Sequence, residues 1–138
     1  MASENGIVLS NATILDVVSG DRNKGQHVRI RDGKIVEIAD RPLAPDGCME
    51  IDLTGKTLMP GLCDAHVHVI AVTANFPALL AMSPSYVTAQ ASDVMSGMLD
   101  RGFTTVRDAG GADWGLASAV EEEFLEGPRL LYCGHALS

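Results

Sequence analysis

Three side chains able to bind a metal or move a proton fall at alternate positions of one apolar run, Leu62-Cys63-Asp64-Ala65-His66-Val67-His68-Val69. A strand places residues i, i+2 and i+4 on one face, so the spacing predicts that Asp64, His66 and His68 point the same way. Two imidazoles about 6.5 to 7 Å apart at their Cα atoms can turn neutral nitrogens onto one metal ion. His66 and His68 are therefore the candidate ligands. Spacing alone leaves open the plainer reading of two structural or solvent-facing histidines, since the chain has four. Asp64 is either an orienting group for its neighbours or a carboxylate satisfied by backbone or by a basic group.

The elements around this run are legible from periodicity and punctuation. After Ser83 and Pro84, an N-cap and a first helical residue, the apolar residues Val87, Ala91, Val94, Met95, Met98 and Leu99 recur at helical spacing as far as Gly102, the expected C′ glycine. Phe103-Thr104-Thr105-Val106-Arg107 reads as a strand. Asp113 caps a second helix with Leu116, Ala117, Val120 and Phe124 on its apolar face, stopped by Gly127-Pro128, and residues 129–133 form a third strand. Strand, helix, strand, helix, strand predicts a parallel sheet with right-handed crossovers. The stretch between the histidine run and Ser83 reads as irregular. Upstream, Ile7-Val8-Leu9, Thr13-Ile14-Leu15, His27-Val28-Arg29-Ile30-Arg31 and Lys34-Ile35-Val36-Glu37-Ile38 read as antiparallel strands, the last two joined by the hairpin signal Asp32-Gly33. A further strand pair, 49–53 and 57–59, flanks the turn Thr54-Gly55-Lys56. Residues 1–59 thus fit a small β-sandwich or half of one.

Composition narrows the class. With 10 Lys+Arg against 18 Asp+Glu and a net charge of −8, the 138-residue chain is a poor match for nucleic-acid phosphates. At 46% hydrophobic and 20% charged it has material for a packed core. Cys48, Cys63 and Cys133 are odd in number and form no CxxC pair, which fits a reducing cytoplasm. Met1-Ala2-Ser3-Glu4 has no basic leader region, and no apolar run reaches the roughly 20 residues a membrane span needs. A closed eight-stranded βα barrel takes about 250 residues, so the chain reads as the front of a longer protein; Gly134-His135-Ala136-Leu137-Ser138 carries no terminal helix.

The stretch Gly55-Lys56-Thr57-Leu58-Met59-Pro60-Gly61-Leu62-Cys63-Asp64-Ala65-His66-Val67-His68 resembles the metal-dependent amidohydrolase superfamily signature G-K-x-h-x-P-G-h-h-D-x-H-x-H, where h is apolar. Asp32-Gly33-Lys34-Ile35 and Ile51-Asp52 resemble its opening strands. Gly102-Phe103-Thr104-Thr105-Val106-Arg107-Asp108 looks like barrel strand two, and Gly127-Pro128-Arg129-Leu130 like the lead into strand three. The chain is most similar to the N-terminal third of the imidazolonepropionase-related and Xaa-Pro dipeptidase (prolidase-like) branch.

The resemblance implies an α/β protein: part of a β-sandwich over residues 1–59, then, over 60–138, the first three βα units of a (β/α)8 TIM-like barrel left incomplete here. It implies one or two divalent ions, zinc foremost, with His66 and His68 as ligands from strand one. A carboxylated lysine, two further histidines and a general-base aspartate would come from later strands, beyond this chain, so the fragment alone should be inactive. The implied reaction is attack of a metal-activated hydroxide on an amide or peptide bond of a small substrate, a dipeptide or N-acyl amino acid. The alternatives are a cyclic-amide hydrolase or deaminase of the same superfamily, or a non-catalytic relative. The expected partner is a small molecule, with no nucleic acid and no membrane, and homo-oligomerisation is left open.

Other residues divide between site and scaffold. His135 follows strand three, on the face where barrel active-site loops gather, and either touches substrate or lies at the surface. Arg107-Asp108 reads as a structural ion pair near the mouth, and His27 as structural. Cys63 reads as a small core residue, and Glu121-Glu122-Glu123 as a solvated helix face. Trp114 either packs on the barrel or lines its mouth.

Overall fold

The computed structural model describes residues 6–135. The readings of Met1-Ala2-Ser3-Glu4 and of Ala136-Leu137-Ser138 lie outside the described residues. The chain divides into two compact units, Met1–Pro60 and Gly61–Ser138.

The first unit is one five-stranded sheet in the order β3-β2-β1-β4, with β5 also pairing β1. Its strands are β1 (Ile7–Leu15), β2 (Arg22–Arg31), β3 (Lys34–Ala39), β4 (Met49–Asp52) and β5 (Thr57–Leu58). The Asp32-Gly33 hairpin forms as expected, with both residues at positive φ (49° and 69°), as a two-residue primed turn requires. Two features differ from the sequence reading. Residues 7–15 are one strand rather than two, its register shifted between Leu9 and Ile14, with Asn11 at φ 60° inside that stretch. Residues 49–52 and 57–58 do not pair with each other; each runs parallel to β1, one beyond the other. A pairing partner more than 40 residues upstream leaves no local trace.

One face of this sheet is held by a buried arginine. Arg29 Nη2 donates to the Ala44 carbonyl at 3.0 Å, and Arg29 meets Asp46 at 3.2 Å and Glu37 at 3.4 Å. These bonds tie the 41–47 loop onto the strands, where Leu43 and Cys48 pack with Val8. Arg29→Met should destabilise this unit by about 1–3 kcal/mol, because a buried charged hydrogen-bond hub is lost while Asp46 stays solvated. Faster amide exchange in residues 41–48 would report it. The register puts Ile7, Ile30, Ile35 and Met49 level on the opposite face, where Ile35 is 62% and Met49 51% exposed. His27 is buried with no hydrogen-bond partner at Nδ1 among the described residues.

The second unit holds a three-stranded parallel sheet, β6 (Leu62–Val67), β7 (Phe103–Asp108) and β8 (Arg129–Tyr132), in that order. Helices α2 (Pro84–Asp100) and α3 (Trp114–Glu121) follow β6 and β7. Ala91 and Met95 of α2, Leu116 of α3, Val106 of β7 and Leu130 of β8 share one core, so both helices cover the same sheet face. Ser83, Pro84 and Gly102 (φ 88°) bound α2 as the sequence predicts, although the Ser83 hydroxyl bonds Ser85 and not the helix end. The stretch read as irregular contains a short helix, α1 (Phe76–Ala81), capped by the Asn75 side chain on the Ala78 amide at 3.1 Å. α3 stops at Glu121, because Glu123 takes φ 62° and the Leu125 amide turns back to the Ala119 carbonyl. Phe124 therefore lies off the apolar face and is 78% exposed. Glu121, Glu122 and Glu123 are exposed, as a solvated face requires.

Candidate metal centre

The histidine run enters its strand through a close contact. A Cβ added to Gly61 would lie 2.0 Å from Thr104 Oγ1 and 2.6 Å from Thr104 Cβ. A β-branched side chain anchored at its own Cβ cannot swing away, so Gly61→Ala should cost about 1–3 kcal/mol through overpacking. Urea denaturation would measure it, and a cost below 0.5 kcal/mol would show that the strand ends part freely (about one tenth of a typical domain's stability).

β6 does not alternate evenly. Asp64 pairs with Val106 and Val67 with Asp108, three residues against two, so β6 carries an extra residue between them. The expected common face of Asp64, His66 and His68 is thereby interrupted. Asp64 turns back on its own chain, its Oδ1 accepting the His66 amide at 3.0 Å. His68 lies one residue past the strand end. The two imidazoles still come together, with ring centroids 5.2 Å apart and planes at 78°, and both are exposed.

The ends of β6 and β7 are cross-bonded around this pair. His68 Nδ1 lies 3.0 Å from the Gly110 carbonyl, an acceptor only, so Nδ1 carries a proton and in the neutral ring Nε2 keeps the lone pair. No described residue hydrogen-bonds the His66 ring. Arg107 Nε donates to the Ala65 carbonyl at 2.7 Å, next to His66. Asp108, fully buried, accepts three amides: Val69 at 2.7 Å, Gly110 at 2.9 Å and Ala112 at 3.2 Å. The expected Arg107–Asp108 ion pair is absent among the described residues. Adjacent strand residues face opposite sides, and here one is exposed and the other in the core.

The remaining expectations resolve simply. Cys63 is exposed, not a core residue, because its strand position pairs with Thr105, on the face away from the helices. Trp114 is 70% exposed at the start of α3. His135 is exposed just beyond Gly134, whose carbonyl accepts the Gly111 amide at 2.8 Å. Parallel pairing puts the loops after β6, β7 and β8 at one end of the sheet, so His66, His68 and His135 share that end. The sequence reading overlooked Gly110 and the buried role of Asp108; an Asp two residues before Gly110-Gly111 is a side-chain-capped turn signal that could have marked them.

The donor set suits a divalent ion: two imidazoles, exposed, one with its ring held from behind by the Gly110 carbonyl. It is a partial set, because no third His, Cys, Asp or Glu joins the pair among the described residues and zinc takes three or four protein ligands.

Known proteins resemble this chain. A solved prolidase complexed with N-methylphosphonate-L-proline is 42% identical over 96% of this chain, with a TM-score of 0.89. This chain spans 32% of that prolidase's length. An adenine deaminase of Desulfatibacillum aliphaticivorans is 43% identical over 63 residues, 46% of this chain and 10% of the deaminase. A dihydroorotase of Streptococcus pneumoniae is 37% identical over 62 residues, 45% of this chain and 14% of that enzyme. Residues 49–120, which include β6, His66 and His68, α1, α2, β7 and most of α3, match the amidohydrolase family, and this chain belongs to it.

Proposed function

We propose that the complete protein is a metal-dependent hydrolase that cleaves the amide or peptide bond of a small substrate, a dipeptide or an N-acyl amino acid. The observation that carries this reading is the exposed His66–His68 pair at the carboxyl end of β6, with Nε2 of His68 left as the free donor. His66 and His68 would hold a divalent ion, zinc foremost. When bound, such an ion supplies Lewis acidity, making water a nucleophile near neutral pH and polarising the scissile carbonyl. The chain's own part is positional: Gly110 holds the His68 proton on Nδ1, and Arg107 and Asp64 hold the carbonyl and the amide of the peptide that joins Ala65 to His66. His135, at the same sheet end, would contact substrate.

The further ligands, a carboxylated lysine and the general-base aspartate belong to later strands in this reading. Residues 1–59 form part of a β-sandwich and residues 60–138 the first three βα units of a barrel. The exposed apolar sheet face around Ile35 and Met49 supports a second layer there. A cytoplasmic site of action fits three cysteines, odd in number and without a CxxC pair; no described helix is long and apolar enough to cross a membrane.

Likeness to a prolidase over nearly the whole chain favours an Xaa-Pro dipeptide. The deaminase and dihydroorotase matches favour a second reading, attack on a ring carbon or cyclic amide. A panel of Xaa-Pro dipeptides, N-acyl amino acids, adenine and cyclic amides, offered to the zinc-loaded complete protein, separates the two. Release of free proline or amino acid supports the first reading. Turnover confined to adenine or the cyclic amides replaces it with the second, and no turnover of any favours a non-catalytic relative.

A further inference from the structure

The carboxylate of Asp108 has no counter-ion among the described residues, yet it is fully buried at the end of β7. A buried carboxylate is costly unless its oxygens are filled by donors, and here three backbone amides fill them. Their places in the chain matter. Val69 directly follows His68, so Oδ2 fixes the backbone leaving that histidine at 2.7 Å. Gly110 owns the carbonyl that takes the His68 Nδ1 proton, and its own amide is held by Oδ1 at 2.9 Å. Ala112 closes the same loop from its far side, and Gly111 between them has φ 120° with Ile70 packed where a Cβ would stand. One side chain thus sets both the main chain that carries His68 and the acceptor that orients its ring.

We propose that Asp108 is a positioning residue for metal binding: by clamping Val69 and the 110–112 loop, it holds the His68 ring with Nε2 outward. It touches neither metal nor substrate, and acts through His68. The proposal rests on the reading that His68 is a ligand, so the test carries both variants. In the complete protein, zinc dissociation constants are measured by competition with a chromophoric chelator, well below the thermal midpoint of each folded variant. Asp108→Asn keeps the size but places an amide NH2 against backbone N–H groups, and should weaken zinc binding about 10- to 100-fold, the usual range for groups that orient a ligand. A residue that only stabilised the fold would lower the thermal midpoint and leave the zinc constant within twofold, and that result overturns the proposal. If His68→Ala weakens zinc binding and folded Asp108→Asn does not, only the positioning role falls. If neither changes it, the ligand reading falls as well. Should Asp108→Asn fail to fold, 15N spectra of the histidine rings in the metal-free wild type carry the test. A His68 protonated at Nδ1 and bare at Nε2 supports the clamp, and the opposite tautomer or an even mixture overturns it.

Discussion

Replacing His68 by alanine in the complete protein is expected to lower kcat/KM by more than about a thousand-fold at micromolar zinc, and His66→Ala to do the same. A metal's stabilisation of the transition state is worth several kcal/mol, and each 1.36 kcal/mol is a factor of ten in rate. The two rings meet at 5.2 Å and no third donor stands beside them among the described residues, so neither can be covered by a neighbour. The loss should be partly reversed by raising zinc to millimolar levels, as expected when the defect is metal affinity. Activity within tenfold of wild type in either variant would remove that histidine from the site.

The second large effect lies in the core beneath the site. Met95→Ala should destabilise the second unit by about 2–5 kcal/mol, the range for truncating a buried side chain of this size. Met95 is fully buried among Ala91, Val106, Leu116 and Leu130. A Cβ placed on Gly127 would already lie 3.0 Å from Met95 Cβ, so the backbone there is in close contact. The neighbours belong to two helices and two strands whose hydrogen bonds resist collapse into the gap, which argues for the upper part of the range. Val69 belongs to the same core and directly follows His68. Loss of packing should therefore also loosen zinc binding. Urea denaturation with amide exchange in α2 and β7 would measure the cost, and a loss under 1 kcal/mol would show that the core repacks.

What could be read in advance followed local chemistry. Asp32-Gly33 needs only its own φ angles to make a hairpin, and Pro84 and Gly102 bound α2 by their own backbone constraints. The pairing of His66 and His68 was legible for a similar reason, since two residues apart on an extended chain they cannot be far separated. What escaped depends on distant partners. The interruption in β6 is set by its register against β7, some 40 residues on, and β4 and β5 lie along β1 because of strand pairing across a similar gap. Asp108 looked like half of an ion pair because Arg107 stands beside it. Its amide partners become neighbours only once β6 and β7 are side by side.

The central claim is that this chain presents two histidine ligands to a divalent ion, and metal stoichiometry tests it most directly. The complete wild-type protein and a His66→Ala, His68→Ala double variant, purified in parallel, would be compared by elemental analysis, with circular dichroism to confirm that both are folded. One or two equivalents of zinc in the wild type, lost in the folded double variant, is the expected result. A wild type without metal, or a double variant that retains it in full, would contradict the assignment.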